Sequence, residues 1–240
     1  PYRLTMARRR HATGWLLCGL LMAACGDPEV EGTGPAPAYT QSTPSYATGS
    51  TSATPPAVGF TDVTAASGID FVHETGGFGQ KWMPETMGSG AGLFDVDADG
   101  DVDAILINST WFAGHEKEGA PPTSALYAGA GDGTFSDVTA GSGLDVSEYG
   151  MGVTAADYDA DGHLDLYVTT WGANRLLRGD GTLRFSDVTG AAGVAGVLWV
   201  DDAGRQHPEW STAALWSDID NDGWPDLLVT RTGDGEASGL

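Results

Sequence analysis

The chain has 240 residues, of which 33 are Asp or Glu and 11 are Lys or Arg, a net charge of −22, which excludes a basic surface for nucleic acid or anionic lipid. Its 36 glycines indicate many turns, while an apolar content of 41% suffices for a packed core, so a wholly disordered chain is excluded too. The acids divide into 24 Asp and 9 Glu, a bias toward the shorter carboxylate that suits turns and tight oxygen cages rather than helix interiors.

Residues 1–25 read as a few upstream residues and a bacterial secretory leader. Met6 is the natural start; Arg8, Arg9 and Arg10 precede an apolar run over residues 15–22, and small residues then lead to Cys25. The run is too short to span a bilayer. The junction Leu21-Met22-Ala23-Ala24-Cys25-Gly26 resembles the lipobox of bacterial lipoproteins, which implies lipidation at Cys25, a membrane anchor and secretion across the inner membrane, with Gly26 favouring the outer membrane and cell surface. The other cysteine, Cys18, falls in the leader, so the mature protein forms no internal disulfide. Residues 26–59 carry six of the twelve prolines and no apolar periodicity, the composition of a disordered linker.

An internal repeat organises residues 60–240. Phe60-Thr61-Asp62-Val63-Thr64 recurs as Phe135-Ser136-Asp137-Val138-Thr139 and as Phe185-Ser186-Asp187-Val188-Thr189. An aspartate motif begins at Asp95, Asp157 and Asp218, starts that lie 62 and 61 residues apart. Each copy stands between a run of small and apolar residues and a β-rich run, Ala104 to Ile107, Leu166 to Thr169 and Leu227 to Thr230. These flanks predict strands. Residues 126–135 and 176–185 add a strand, a Gly-Asp-Gly turn and a further strand. One unit is therefore four antiparallel strands, and its repetition predicts an all-β fold, a β-propeller with about three blades present. Three blades do not close a ring, so the chain is read as C-terminally truncated.

The aspartate loops carry the chemistry. Asp95, Asp97, Asp99 and Asp103 occupy positions 1, 3, 5 and 9 of the first loop, as do Asp157, Asp159, Asp161 and Asp165 in the second and Asp218, Asp220, Asp222 and Asp226 in the third. Gly at position 6 permits a sharp turn, and the carbonyl of position 7, from Asp101, His163 or Trp224, supplies a further oxygen. Six or so oxygens around one point suit Ca²⁺ better than Mg²⁺, which demands a stricter octahedron. The charge requires it: two carboxylates ~4 Å apart repel by about 4 kcal/mol at an effective dielectric of 20. An EF-hand is excluded because position 12 holds Leu106, Val168 or Val229 in place of a bidentate Glu.

These loops and strands resemble FG-GAP/VCBS repeats, the calcium-loop blades of integrin-α-type propellers. More narrowly, Phe60 to Thr64 with Gly68-Ile69-Asp70-Phe71-Val72-His73-Glu74, followed by Met83-Pro84-Glu85-Thr86-Met87-Gly88-Ser89-Gly90, is similar to the ASPIC/UnbV, cartilage acidic protein-like group. The resemblance implies a seven-bladed ring with Ca²⁺ in its loops and an ASPIC/UnbV module further along.

Other motifs read as structural. Arg178-Gly179-Asp180 aligns with Ala130-Gly131-Asp132 as the repeat's own turn; Asn108-Ser109-Thr110 forms a glycosylation sequon; His73 with Glu74, and His207 with Glu209, lack a third partner for catalysis. The tryptophans read as blade packing, with Trp111 and Trp171 placed after strands where a binding face would lie. The expected function is that of a non-enzymatic, calcium-binding, membrane-anchored propeller that binds protein or glycan in adhesion and has no nucleic-acid partner. The alternatives are the scaffold of an enzyme whose active site lies in a missing C-terminal region, and a structural surface spacer.

Overall fold

A computed structural model describes residues 3–7, 59–196, 199–200, 206–207 and 209–232. The leader with Cys25 and nearly all of the 26–59 linker fall outside the described residues, as does the side chain of His207. The chain divides into two compact units, Pro1–Arg9 with Asp62–Leu240 and Arg10–Thr61; only residues 59–61 of the second are described.

The larger unit is almost all strand. Arg3–Ala7 forms β1, and α1 (Thr64–Ser67) and α2 (Met83–Thr86) are single turns. The first blade is β2 (Ala91–Phe94), β3 (Asp103–Leu106), β4 (Ala125–Gly129) and β5 (Phe135–Asp137), hydrogen-bonded in that order. The second is β6 (Gly150–Ala156), β7 (Asp165–Thr170), β8 (Arg175–Gly179) and β9 (Phe185–Asp187). After α3 (Thr189–Ala192) comes a two-stranded ribbon of β10 (Trp199–Val200) and β11 (Gln206–His207). A third sheet pairs β12 (Trp210–Ser217) with β13 (Asp226–Thr232). Sequential antiparallel four-stranded sheets of this kind are propeller blades.

The third sheet holds a strand that no sequence feature anticipates. β1 pairs antiparallel with β13, from Arg3 opposite Arg231 to Ala7 opposite Leu227. It takes the edge beside β13 that β4 and β8 take beside β3 and β7 in the first two blades.

Blades stack face to face through apolar side chains, which explains why β7 is buried at every residue. Alternation sends Leu166 and Val168 toward the first blade, where they join Ile105, Leu126 and Leu144, and sends Tyr167 toward Leu227 and Val229 of the third. A strand covered on both sides reads as an unbroken apolar run, as Leu-Tyr-Val does here.

The second and third Phe-x-Asp-Val-Thr copies connect one blade to the next, and the first leads into the first blade. In each, the aspartate accepts from the backbone N–H two residues on: Asp62 from Thr64 at 3.0 Å, Asp137 from Thr139 at 2.8 Å and Asp187 from Thr189 at 3.0 Å. The threonine hydroxyls of the second and third copies then accept from the N–H groups of Leu126 and Leu176. Gly68 and Gly143 follow with φ of +81° and +93°, and a Cβ at either would run into the carbonyl of Phe135 or Phe185. Only glycine meets both demands. The turn delivers Ile69 and Leu144 onto the next sheet.

Candidate metal centre

Each aspartate loop joins the first two strands of a blade, and all three share one backbone. Position 4 is left-handed, with φ of +60° at Ala98, +58° at Ala160 and +57° at Asn221; position 6 is left-handed glycine, at +96°, +91° and +90°. Nothing lies within 4 Å of a Cβ built on Gly100, Gly162 or Gly223. Glycine is therefore required there by dihedral angle rather than by space.

The carboxylates fix this path. The position 6 amide donates to position 1 (Gly100 to Asp95, 3.1 Å; Gly162 to Asp157, 3.0 Å; Gly223 to Asp218, 3.0 Å). The position 7 amide donates to position 5, Asp101 to Asp99, His163 to Asp161 and Trp224 to Asp222. The position 2 amide donates to position 9, each time at 3.0 Å: Val96 to Asp103, Tyr158 to Asp165 and Ile219 to Asp226. In the first two loops the other oxygen of position 9 accepts from a strand end, Gly129 N–H at 3.0 Å for Asp103 and Gly179 N–H at 2.9 Å for Asp165.

Carboxylate oxygens converge within 4.8 Å of one another in three sets: Asp95, Asp97 and Asp99; Asp157, Asp159 and Asp165; Asp218, Asp220 and Asp226. The sequence-derived set is thus gathered only in part. Asp103, Asp161 and Asp222 stand outside their triads, and Asp101, His163 and Trp224 are seen in the loops as backbone donors. Burial pushes the carboxyl of Asp103 up and that of Asp165 up to about 6, with the neighbouring aspartates adding to the rise and two backbone N–H groups opposing it. The Asp161 carboxyl is held low, chiefly by its bond to Arg178.

The donor set fits a hard divalent cation. It is all oxygen and anionic, and Asp95 Oδ1 and Asp159 Oδ1 are buried with no hydrogen-bond partner. A buried carboxylate oxygen without a donor is costly, and a cation would remove that cost.

The sequence reasoning missed Arg178. Its Nε lies 3.0 Å from Asp159 Oδ2 and its Nη2 2.6 Å from Asp161 Oδ2. The alignment of Arg178-Gly179-Asp180 with Ala130-Gly131-Asp132 is corrected by strand register. Gly179 pairs with Phe185 as Gly129 pairs with Phe135, which sets Arg178 against Ala128 and Asp180 against Ala130. Both turns hold five residues between these partners, so matching the Gly-Asp pairs slips the register by two. The signal for position 4 was present in Asn221, a residue type that tolerates the left-handed region.

The remaining candidates are engaged elsewhere. His73 Nε2 accepts from Ser89 N–H at 3.1 Å, and Glu74 binds Lys117 at 2.8 Å. Glu209 pairs with Arg231. Asn108 of the sequon is buried, its Oδ1 accepting from Glu74 N–H and its Nδ2 donating to the carbonyls of Val72 and Thr123. Trp171 packs against Phe112 and Tyr149, with centroids at 4.9 and 5.4 Å, in a cluster that also holds Phe78, Trp82 and Trp210. Among the described residues no helix is long and apolar enough to cross a membrane.

Stacked antiparallel sheets, each with an aspartate loop between its first two strands, define a repeat protein of the β-propeller type. The pattern of the FG-GAP-like repeat matches residues 95–168 and again 157–229, each match starting on position 1 of a loop. The chain belongs to the FG-GAP-like repeat family. It is 38% identical over 68 residues to cartilage acidic protein 1 of Xenopus tropicalis, a stretch that is 26% of this chain and 10% of that protein. To the Homo sapiens protein of the same name it is 38% identical over 92 residues, 36% of this chain and 14% of that protein. The chain therefore spans a small part of the relatives it matches.

Proposed function

We propose that the chain is a calcium-binding, non-enzymatic propeller lipoprotein that works outside the cytoplasm, anchored through Cys25, as a binding or adhesion module for protein or glycan. The observation that carries the calcium reading is the recurrence, in three loops of one backbone shape, of carboxylate oxygens within 4.8 Å of one another. In the first loop Asp95, Asp97 and Asp99 would hold the ion, in the second Asp157, Asp159 and Asp165, and in the third Asp218, Asp220 and Asp226. The ion supplies positive charge that lets these groups share a small volume, and so rigidifies the end of each blade. The adhesion reading draws on the repeat type, and the anchor and its outer-membrane address draw on the leader sequence. His73 and Glu74 are each bound within the fold, which supports a role without catalysis.

Calorimetry of the whole chain with and without chelator tests the metal claim. An ion at 100 times its Kd adds about 2.7 kcal/mol per loop, and each kcal/mol raises Tm by roughly 2–4 °C in a chain of this size. Calcium raises the melting temperature well above the chelated value, and magnesium raises it less. An identical Tm in calcium and in chelator ends the calcium reading.

A further inference from the structure

We propose that Arg178 is a built-in counter-ion of the second aspartate loop, which competes with the cation and makes that loop bind calcium more weakly than the first. The inference rests on the calcium reading above and adds to it a grading of the loops.

Three observations on the chain's own residues support it. First, Arg178 stands on β8 opposite Ser186 and bridges two loop carboxylates, with Nε on Asp159 Oδ2 at 3.0 Å and Nη2 on Asp161 Oδ2 at 2.6 Å. Second, the same register position of the first blade, opposite Ser136 on β4, is Ala128, which carries no charge and has no reach. Third, position 5 of the second loop, Asp161, is bound by the arginine and stands outside the gathered set. The first loop collects positions 1, 3 and 5, whereas the second and third both collect 1, 3 and 9, so it is the bond to Asp161 and Asp159 that sets the second loop apart. Asp159 is divided between the two roles, its Oδ2 held by the guanidinium and its Oδ1 buried without a partner.

The guanidinium stays charged at every relevant pH. A divalent ion entering the second loop therefore either faces that charge or displaces the side chain from both carboxylates. Arg178 is half exposed, so a water-like dielectric applies. A unit charge roughly 5 Å from a divalent ion then weakens binding by about tenfold. Without metal the sign reverses, because the guanidinium relieves the repulsion among the same aspartates. Calcium fills the loops in stages, the first loop before the second.

The test compares the wild-type chain with Arg178→Ala and Arg178→Lys by calcium titration calorimetry, and by Tm in chelator and in calcium. Arg178→Ala keeps the number of ions bound, moves one of them to about tenfold tighter binding, and widens the Tm gap between chelated and calcium-loaded protein. Arg178→Lys keeps the charge and stays close to wild type, which guards against a general folding defect. A purely structural arginine would lower both melting temperatures alike and leave the isotherm unchanged, and that result overturns the proposal while calcium binding stands. If neither wild type nor Arg178→Ala takes up calcium, the metal reading falls and this inference falls with it.

Discussion

Acidifying the metal-stripped protein from pH 7 to pH 5 should stabilise it, against the common behaviour of acidic proteins. Asp165 has no exposed surface, and burial raises its carboxyl to about 6 in the fold, from an ordinary value of 3.8. Between those two values the folded state binds a proton that the unfolded state has released, so stability falls as pH rises through the window and levels off above the folded value. From pH 7 to pH 5 the recovered stability is about 1.3 kcal/mol, at 1.36 kcal/mol per unit. That corresponds to a Tm increase of roughly 3–5 °C. Asp132, Asp145 and Asp180 are shifted the other way by their hydrogen bonds, and what they contribute is lost only as the pH falls below the ordinary carboxylate range. The control is Asp165→Asn, which keeps an acceptor for one amide but turns an NH2 group toward the other, at a cost of about 1–3 kcal/mol. It removes the titration, so its Tm should rise less over this range than that of the wild type. Calcium should abolish the wild-type rise by favouring the ionised carboxylate. Differential scanning calorimetry at pH 5, 6 and 7 reads all three. A metal-stripped wild type whose slope equals that of Asp165→Asn would refute the reasoning.

Three further outcomes follow from local geometry. Gly162→Ala meets open space but a φ of +91°, so it should cost about 1–2 kcal/mol in urea unfolding, whereas Ala160→Gly, at +58°, should stabilise the chain by up to ~1 kcal/mol. Asn108→Ala leaves the Glu74 N–H and two carbonyls without their partner, and should lower stability by about 3 kcal/mol, read from the denaturant midpoint at constant m-value. Leu166→Ala, cut from the fully buried face between the first two blades, should cost 2–5 kcal/mol, the range for a buried Leu→Ala. An unchanged midpoint would show that the blades do not pack through this contact.

The blades were legible because they repeat. Asp-x-Asp-x-Asp-Gly at fixed spacing located the loops, and the apolar runs beside them located the strands around Ile105, Leu166 and Leu227, since strand alternation and turn chemistry are local rules. What escaped reading depends on partners distant in sequence. The position 9 aspartate looks like a fourth ligand in a one-dimensional pattern, yet Asp103 and Asp165 also reach the amides of Gly129 and Gly179, 26 and 14 residues away. Arg178 looked like one letter of a turn motif because the matching glycines of the two turns are displaced by two residues. The third sheet's edge strand, Arg3–Ala7, lies more than 200 residues from β13, and no pattern rule connects such segments.

The double use of position 9 explains how a loop end and a blade become one mechanical unit. In the first two blades this carboxylate holds the N–H of loop position 2 with one oxygen and the end of the third strand with the other. Closing the loop and seating that strand are then a single event. An amide would leave one of the two N–H groups facing a donor, so only a carboxylate, or a protonated carboxyl at some loss, serves both. The charge that makes this bond strong is also the charge that burial penalises, as the raised carboxyls of Asp103 and Asp165 record. In the second loop, whose gathered set includes position 9, a cation would offset that penalty where it arises. Metal occupancy would therefore be felt at β8, the strand that carries Leu176 and Leu177 into the cores between blades, and calcium removal should loosen amide exchange there as well as in the loops themselves.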